Sequence, residues 1–356
     1  MITIGVDAHK SVHAAVALDL AGREIDRWRG PNSPAGWAAL GTWAQAASAA
    51  QPRQWGIEGA GNYGRGLAQY LVGQGETVYD INPRWTAQGR RQARRPGKTD
   101  RLDARAVALV VWREAATLPA LSAEDETTVL DLLVTEREGA VAEATRGRNQ
   151  LHALLLQLDP QYKTHLPPLD TAAGLQAAET YTVAPSASPV QQARAAAVRR
   201  LAQRVRLATT QADDLKAQIE ARAQAHFSPL TQIKGIGPLL AGALAGVLGP
   251  GARFTHDGQL AAYGGVAPVE ASSAEHVRHR LNRGGNRRLN ALLHQIALTQ
   301  ARCWAPAQAY LARRLREGKT KREAFRALKR YIARAVFRLW QECLAVPAPA
   351  PAAAAA

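Results

Sequence analysis

The stretch Ile2-Thr3-Ile4-Gly5-Val6-Asp7, followed by Val12-His13-Ala14-Ala15-Val16-Ala17-Leu18, decides the fold of the first part of the chain. Residues 2–6 form a short apolar run, and every second residue from Val12 to Leu18 is apolar, so both segments are predicted to be strands. Gly22 suits the next turn, and Arg23 to Trp28 can form a third strand. Together these segments predict a meander of three strands.

Beyond this meander, helices alternate with strands. A helix is predicted from about Trp37 to Ala49, then a strand from Trp55 to Ile57, a helix ending near Val72, and a strand from Thr77 to Ile81. Strands in a meander, followed by such alternation, are typical of a mixed α/β sheet. We therefore expect an α/β domain over residues 1–118.

The remainder is predicted to be mainly α-helical. Residues 119–226 hold two long helical segments, 122–158 and 190–225, separated by a proline-rich break. Residues 227–345 look helical with loops, and residues 346–356 contain only Pro and Ala after Val346, a low-complexity tail predicted to be disordered.

The second long helix carries a heptad seam. Its apolar residues recur in steps of three and four, which is typical of helices that pack as a coiled coil. They are Val198, Leu201, Val205, Ala208, Ala212, Leu215 and Ile219. The seam is expected to pair the two long helices with each other or with another copy. Pairing between subunits, in a homo-oligomer such as a dimer or tetramer, is the preferred hypothesis.

Composition limits the possible partners. The formal net charge is +16, from 45 basic and 29 acidic residues, so a polyanion is expected and nucleic acid is the default. The longest apolar stretch, Leu239 to Leu248, is too short to cross a bilayer, and the first residues lack a basic signal-peptide segment. Two cysteines exclude a disulfide framework and a four-cysteine zinc site. We expect a soluble cytoplasmic protein with no membrane partner.

Four carboxylates stand where an acidic metal site can form. Asp7 ends the first predicted strand and Glu58 ends the fourth, while Asp100 and Asp103 share one face at the start of a helix capped by Thr99 or Asp100. Carboxylates that hold Mg²⁺ can support phosphoryl transfer. The alternative is that Asp100 only caps the helix and Asp103 is a solvated acid.

Basic residues lie beside these acids and near the end of the chain, where they are predicted to contact phosphates. One set in a loop before Asp100 comprises Arg90, Arg91, Arg94, Arg95 and Lys98. A second set comprises Arg278, Arg280, Arg283, Arg287 and Arg288. Between them, Lys234, Gly235 and Gly237 form a turn before an apolar helix. Such a turn can hold a phosphate with backbone N–H groups or can be a simple tight turn.

Three passages of the first domain form a recognisable set: Ile4–Lys10 (IGVDAHK), Gly56–Tyr63 (GIEGAGNY) with Ile81-Asn82-Pro83 after it, and Lys98–Arg105 (KTDRLDAR). Together they resemble the insertion sequence 110 family of transposases, also called DEDD transposases or bridge-RNA-guided recombinases. In the last domain, Gly235–Pro238, Ala262–Pro268 and Arg283–Arg287 are similar to that family's second conserved region. The resemblance covers nearly the whole chain, apart from the tail.

This resemblance implies a RuvC-like (RNase H-like) first domain whose tetrad Asp7, Glu58, Asp100 and Asp103 binds Mg²⁺, for which Mn²⁺ can substitute. It also implies a coiled-coil middle, and a last domain whose serine forms a transient phosphoserine link to DNA. A structured guide RNA would pair with donor and target DNA.

Ser273 matches the family's serine by its distance from Pro268. The family often places glycine directly after its serine, whereas here Ser273 is followed by Ala274 and preceded by Ser272. Ser272 therefore remains an alternative nucleophile.

Two other functions are compatible with parts of the pattern. A structure-selective hydrolytic nuclease of the RuvC type would use the same acids with water in place of the serine. An architectural nucleic-acid-binding protein would need only the basic residues, and it would gain nothing from four acids beside a phosphate channel. We therefore expect a metal-dependent, serine-assisted recombinase.

Overall fold

The computed structural model describes residues 1–49, 51–86, 99–251, 253–270, 279–280, 282 and 284–345. By internal packing, the chain divides into two compact units. The first unit comprises Met1–Asp125 and Pro250–Phe254, and the second comprises the rest.

A five-stranded mixed sheet forms the centre of the first unit. Its strands are β1 (Ile2–Ala8), β2 (Val12–Leu18), β3 (Glu24–Pro31), β4 (Arg53–Glu58) and β5 (Thr77–Ile81). The sheet order is β3-β2-β1-β4-β5; β1 is antiparallel to β2 and parallel to β4, and β4 is parallel to β5. This order and these directions are those of the RuvC-like (RNase H-like) fold. The predicted meander and the mixed α/β class are confirmed.

Helices cover both faces of this sheet. Helices α1 (Pro34–Ser48) and α2 (Arg65–Gly73) pack on one face against a core that includes Ile4 and Val6. Helix α3 (Asp100–Glu114) packs on the other face, where its apolar residues meet β2 and β5. Because β1 is covered on both faces, its residues are buried without alternation from Ile2 to Asp7.

Two long helices that pack against each other form the centre of the second unit. They are α4 (Glu126–Leu158) and α6 (Pro189–His226), with the short helix α5 (Ala172–Glu179) inside the proline-rich break. Ser188 caps α6, and Gln191 completes a capping box, which satisfies backbone N–H groups at the helix start.

The predicted heptad seam is buried within the chain itself. Val198, Val205 and Ala208 of α6 form a core with residues of α4 such as Leu151 and Leu155. Leu201 is only partly buried. The seam therefore pairs the two long helices of the same chain, as one of the two predicted pairings requires. A second subunit is not needed to bury these residues.

The second unit continues with short helices, a two-stranded ribbon and three more helices. These elements are α7 (Pro238–Leu248), α8 (Asp257–Tyr263), β6 (Val269–Glu270), β7 (His279–Arg280), α9 (Arg287–Cys303), α10 (Ala305–Arg316) and α11 (Lys321–Ala345). Among the described residues, none of the helices is long and apolar enough to span a membrane.

Candidate metal and nucleic-acid site

Two of the predicted acids end adjacent parallel strands. In the pairing of β1 with β4, Asp7 lies opposite Glu58. Because the two strands are parallel and in register, both carboxylates stand at the same edge of the sheet. Val6 and Ile57, the residues directly before the two acids, are fully buried. Each acid therefore follows a strand that packs into the core.

Helix α3 brings the other two acids to this edge. Thr99 caps the helix, accepting a hydrogen bond from the backbone N–H of Leu102 at 3.3 Å, so Asp100 and Asp103 occupy the first turn. The helix lies directly on β1: a Cβ added to Gly5 would stand 2.2 Å from the carbonyl oxygen of Ala104. A residue without a side chain at position 5 is what permits this approach.

The four acids act on one another electrostatically. The pKa of Asp7 is raised from 3.8 to about 6. Burial is the largest cause, the charge of His9 opposes it, and the charges of Asp103, Glu58 and Asp100 add to it. Asp7 and Asp103 are buried, with 7% and 4% of their residue surface exposed. The structure thus brings together the tetrad that the sequence singled out.

His9 joins this group. Its Nε2 lies 3.1 Å from Oδ2 of Asp7 and 3.6 Å from Oδ1 of Asp100. Ligand atoms of these three residues lie within 4.8 Å of one another, close enough to share one metal ion. Oδ2 of Asp7 is buried and, although His9 lies near it, accepts no hydrogen bond from a described group. A buried carboxylate oxygen without a donor fits a divalent cation.

Two further side chains support the acids. Nη2 of Arg29 lies 3.5 Å from Oδ2 of Asp100, and the buried Thr86 donates a hydrogen bond to Oε1 of Glu58 at 3.3 Å. His9, Arg29 and Thr86 are not among the site residues predicted from the sequence. Only His9 had a usable signal, because it lies two positions after Asp7, directly beyond the end of β1.

The predicted phosphate-binding turn has a clear structural role. Gly235 has a φ of +94°, which favours glycine, and Gly237 caps α7, which begins with Pro238. The carbonyl oxygen of Lys234 accepts a hydrogen bond from Gln300 at 2.8 Å, which ties the turn to α9. The tight turn is present, and its binding to phosphate remains a prediction.

The arginines of the last domain differ in their contacts. Arg288 forms an ion pair with Asp131 of α4 at 2.7 Å, so its charge is partly neutralised within the second unit. Arg280 and Arg287 are exposed. The other predicted site residues lie outside the described residues: Arg90, Arg91, Arg94, Arg95, Lys98, Ser272, Ser273, Arg278 and Arg283.

The mixed sheet carries acids at the ends of its two central parallel strands and on the helix that covers them, which is the arrangement expected of the DEDD phosphoryl-transfer class. Comparison with known proteins agrees with this class. A transposase family model of the DEDD IS110 type matches residues 4–160, and the model described as "Transposase IS116/IS110/IS902 family" matches residues 228–312.

Two relatives come from Streptomyces. The chain is 31% identical over 281 residues to the 43.6 kDa protein of insertion element IS110 from Streptomyces coelicolor, covering 65% of this chain and 68% of that protein. It is 25% identical over 396 residues to the 44.8 kDa protein of insertion element IS116 from Streptomyces clavuligerus, covering 98% and 97%. The chain belongs to the IS110 family of transposases, enzymes that cleave and rejoin DNA.

A solved structure was also similar in part. RuvC from T. thermophilus, in complex with a Holliday junction substrate, aligns with 34% of this chain and 99% of its own, at 15% identity and a TM-score of 0.28. The family's DEDD domain implies use of a divalent metal, and the acidic cluster around Asp7 fits one.

Proposed function

We propose that this transposase cuts DNA with Asp7, Glu58, Asp100 and Asp103 as the ligands of Mg²⁺, for which Mn²⁺ can substitute. The observation that carries the proposal is the register of Asp7 opposite Glu58, with the α3 acids acting on the same carboxylate. The bound ion would neutralise charge that develops on a phosphate in the transition state. His9 and Arg29 hold Asp7 and Asp100 in position.

The nucleophile in this proposal is Ser273, with Ser272 as the alternative. The serine oxygen bonds to the phosphorus of the scissile phosphodiester, and the bond from phosphorus to the neighbouring sugar oxygen breaks. That sugar leaves as a hydroxyl and takes the serine proton. Attack by a sugar hydroxyl on the phosphoserine reverses the step, so the strands rejoin without ATP.

The basic residues supply phosphate contacts in this proposal. Lys234 with its glycine turn, Arg280 and Arg287 would hold DNA or RNA backbone, as would the basic residues outside the described ranges. A structured guide RNA would select donor and target DNA by base pairing. A homo-oligomer, dimer or tetramer, would hold the two DNA partners together.

The metal site is tested by strand cleavage with Asp7→Asn and Asp103→Asn, both of which preserve side-chain volume. Each variant is expected to lose cleavage while DNA binding is retained, and Mn²⁺ should raise the melting temperature of the wild type but not of the variants. Asp214→Asn, an exposed acid of α6, is the matched control. Normal cleavage by Asp7→Asn, or full activity in excess chelator, contradicts the proposal.

The nucleophile is tested by trapping the reaction on a nicked substrate and looking for a protein–DNA adduct by denaturing gel and mass spectrometry. Loss of the adduct in Ser273→Ala, but not in Ser272→Ala, supports Ser273, and the reverse result moves the role by one residue. Hydrolysed ends with no adduct identify the alternative, a RuvC-type structure-selective nuclease that uses the same acids and water.

RNA guidance is tested separately by purifying the protein from its host and sequencing the RNA that remains bound. A single structured RNA, encoded beside the gene, is the expected result. Recovery of unrelated RNA fragments in proportion to their abundance argues against a guide.

A further inference from the structure

The second unit contains a cavity whose lining residues are remote in sequence from the acidic tetrad. It lies between α9 and α11 and has a volume of about 760 Å³. This volume is in the range of ordinary small-molecule sites. Gly265 and Gly285 form part of its wall, where their backbones touch: a Cβ on Gly285 would lie 2.3 Å from the nitrogen of Gly265. We call it the α9–α11 cavity.

The lining of the α9–α11 cavity is strongly positive. No carboxylate occurs among the described residues that line it, whereas five cations do. They are Arg287, Lys321, Arg322, Arg326 and Lys329. Glu323 lies 4.0 Å from Arg326 and partly neutralises it, whereas the other four form no ion pair among the described residues. Like charges around one cavity repel one another, and a bound anion relieves that repulsion. The cavity therefore favours a ligand with negative charge.

Lys329 is the most informative of these cations. Only 9% of its surface is exposed, and its Nζ donates a hydrogen bond to Oδ1 of Asn290 at 2.9 Å. No described carboxylate forms an ion pair with it, and burial lowers the pKa of its ammonium group. A buried cation with only a neutral partner is costly, and an anion in the cavity would stabilise it.

The same cavity also has an apolar wall. Phe325, Leu298 and Ala291 line it, and the ring of His294 meets Phe325 edge to face with centroids 6.1 Å apart. Asn282 and Asn290 also line it. Each amide already donates one hydrogen bond to a backbone carbonyl and accepts one, so each keeps a second N–H and a second lone pair for the polar edge of a heterocycle. A simple phosphate would use the cations and leave this apolar wall unused.

We propose that the α9–α11 cavity binds one nucleoside monophosphate unit, with its base against Phe325 and its phosphate on the surrounding cations. The unit can come from an unpaired nucleotide extruded from a bound strand or from a free mononucleotide. The first source rests on the proposed function, because it needs a nucleic-acid substrate. An extruded nucleotide would fix the position of the strand beside the ribbon of β6 and β7.

The test uses the full-length protein and four probes. These are a short fully paired DNA duplex, the same duplex with one unpaired 2-aminopurine nucleotide, the same duplex with an abasic residue at that position, and free 2′-deoxyadenosine 5′-monophosphate. The bulged duplex is expected to bind about tenfold more tightly than the paired and abasic duplexes, with quenching of 2-aminopurine fluorescence, as stacking on an aromatic ring predicts.

Two variants on α11 separate the cavity from general DNA binding. Phe325→Ala is expected to remove the tenfold preference and the quenching while paired-duplex affinity is unchanged. Tyr331→Ala, which removes an aromatic residue that is 52% exposed on the same helix outside the cavity, should keep both. If Phe325→Ala melts at a lower temperature, Phe325→Leu serves in its place, because it removes the aromatic ring and keeps an apolar side chain at the partly buried position.

The outcomes distinguish the two sources and the two proposals. Binding of the free mononucleotide that Phe325→Ala abolishes, without a preference for the bulge, supports the cavity and assigns the free source. No bulge preference and no mononucleotide binding, with paired duplex still bound in a salt-dependent way, overturns the inference and leaves the proposed function intact. Loss of binding to every duplex instead counts against the proposed function, and mononucleotide binding still tests the cavity.

Discussion

Asp7 and Glu58 lie opposite each other in the parallel pairing of β1 and β4, at the same edge of the sheet. This relationship joins two acids that are far apart along the chain, and α3 then adds two more. The electrostatic cost is visible in Asp7, whose pKa is raised to about 6, first by burial and then by the other three carboxylates. A cation offsets this cost, so the site and its expected metal depend on each other.

The pKa of Asp7 predicts how stability depends on pH in metal-free protein. Its folded pKa of about 6 exceeds the ordinary 3.8, so between these values the folded state holds a proton that the unfolded chain has lost. Stability from this group therefore falls as pH rises through that window. Above it, Asp7→Asn should be more stable than wild type by on the order of 1–3 kcal/mol.

The measurement is urea unfolding in chelator across the acid-to-neutral range. The stability difference between Asp7→Asn and wild type should shrink as pH falls from about 6 towards 3.8, and it should vanish below 3.8, where the wild-type carboxyl is protonated in both states. Asp214→Asn, exposed on α6, should show no such trend. A difference independent of pH would mean that ionisation of Asp7 is not its cause.

Gly5→Ala should separate α3 from the sheet. The added Cβ would lie 2.2 Å from both the Ala104 oxygen and the Ala108 nitrogen, which are backbone atoms that cannot rotate away. We expect a loss on the order of 3 kcal/mol in unfolding free energy, and weaker cleavage because Asp100 and Asp103 move with the helix. Gly41→Ala in α1, where a Cβ meets nothing within 4 Å, should gain up to about 1 kcal/mol.

Arg287 and Arg288 are neighbours with different predicted roles. Arg288 is ion-paired with Asp131 at 2.7 Å, whereas Arg287 is exposed and lines the α9–α11 cavity. Arg287→Gln should lower the slope of log affinity against log salt by about 1 and leave the melting temperature unchanged. Arg288→Gln should lower stability by about 0.5–1 kcal/mol with a smaller effect on that slope. Equal slopes in both variants would refute this division of roles.

The packing of α4 against α6 predicts the effect of truncating its core. Leu151 is fully buried there, so Leu151→Ala should cost about 2–5 kcal/mol in unfolding free energy. Leu207→Ala, on α6 but 61% exposed, should change stability by less than about 0.5 kcal/mol. Light scattering on Leu151→Ala, under conditions where it remains folded, should give the wild-type mass. A smaller mass would show that the seam also joins subunits.

The residues that could be predicted are those with a local signal. Asp7 and Glu58 follow apolar strands, and Thr99 precedes a helix whose first turn carries Asp100 and Asp103, so neighbours in sequence reveal each position. Arg29 and Thr86 have no such signal. They contact Asp100 and Glu58 from other elements, and that proximity depends on how β3 and the segment after β5 pack.

The sequence by itself determined the elements of this protein, the acids at their ends and the family to which it belongs, because periodicity, capping and motifs act over a few residues. Only the tertiary structure decided the partners. It placed β1 between β2 and β4, packed α4 against the heptad seam of α6, and paired Arg288 with Asp131. These choices join residues distant in the chain, and the free energy of packing the whole unit selects them from many locally equivalent pairings.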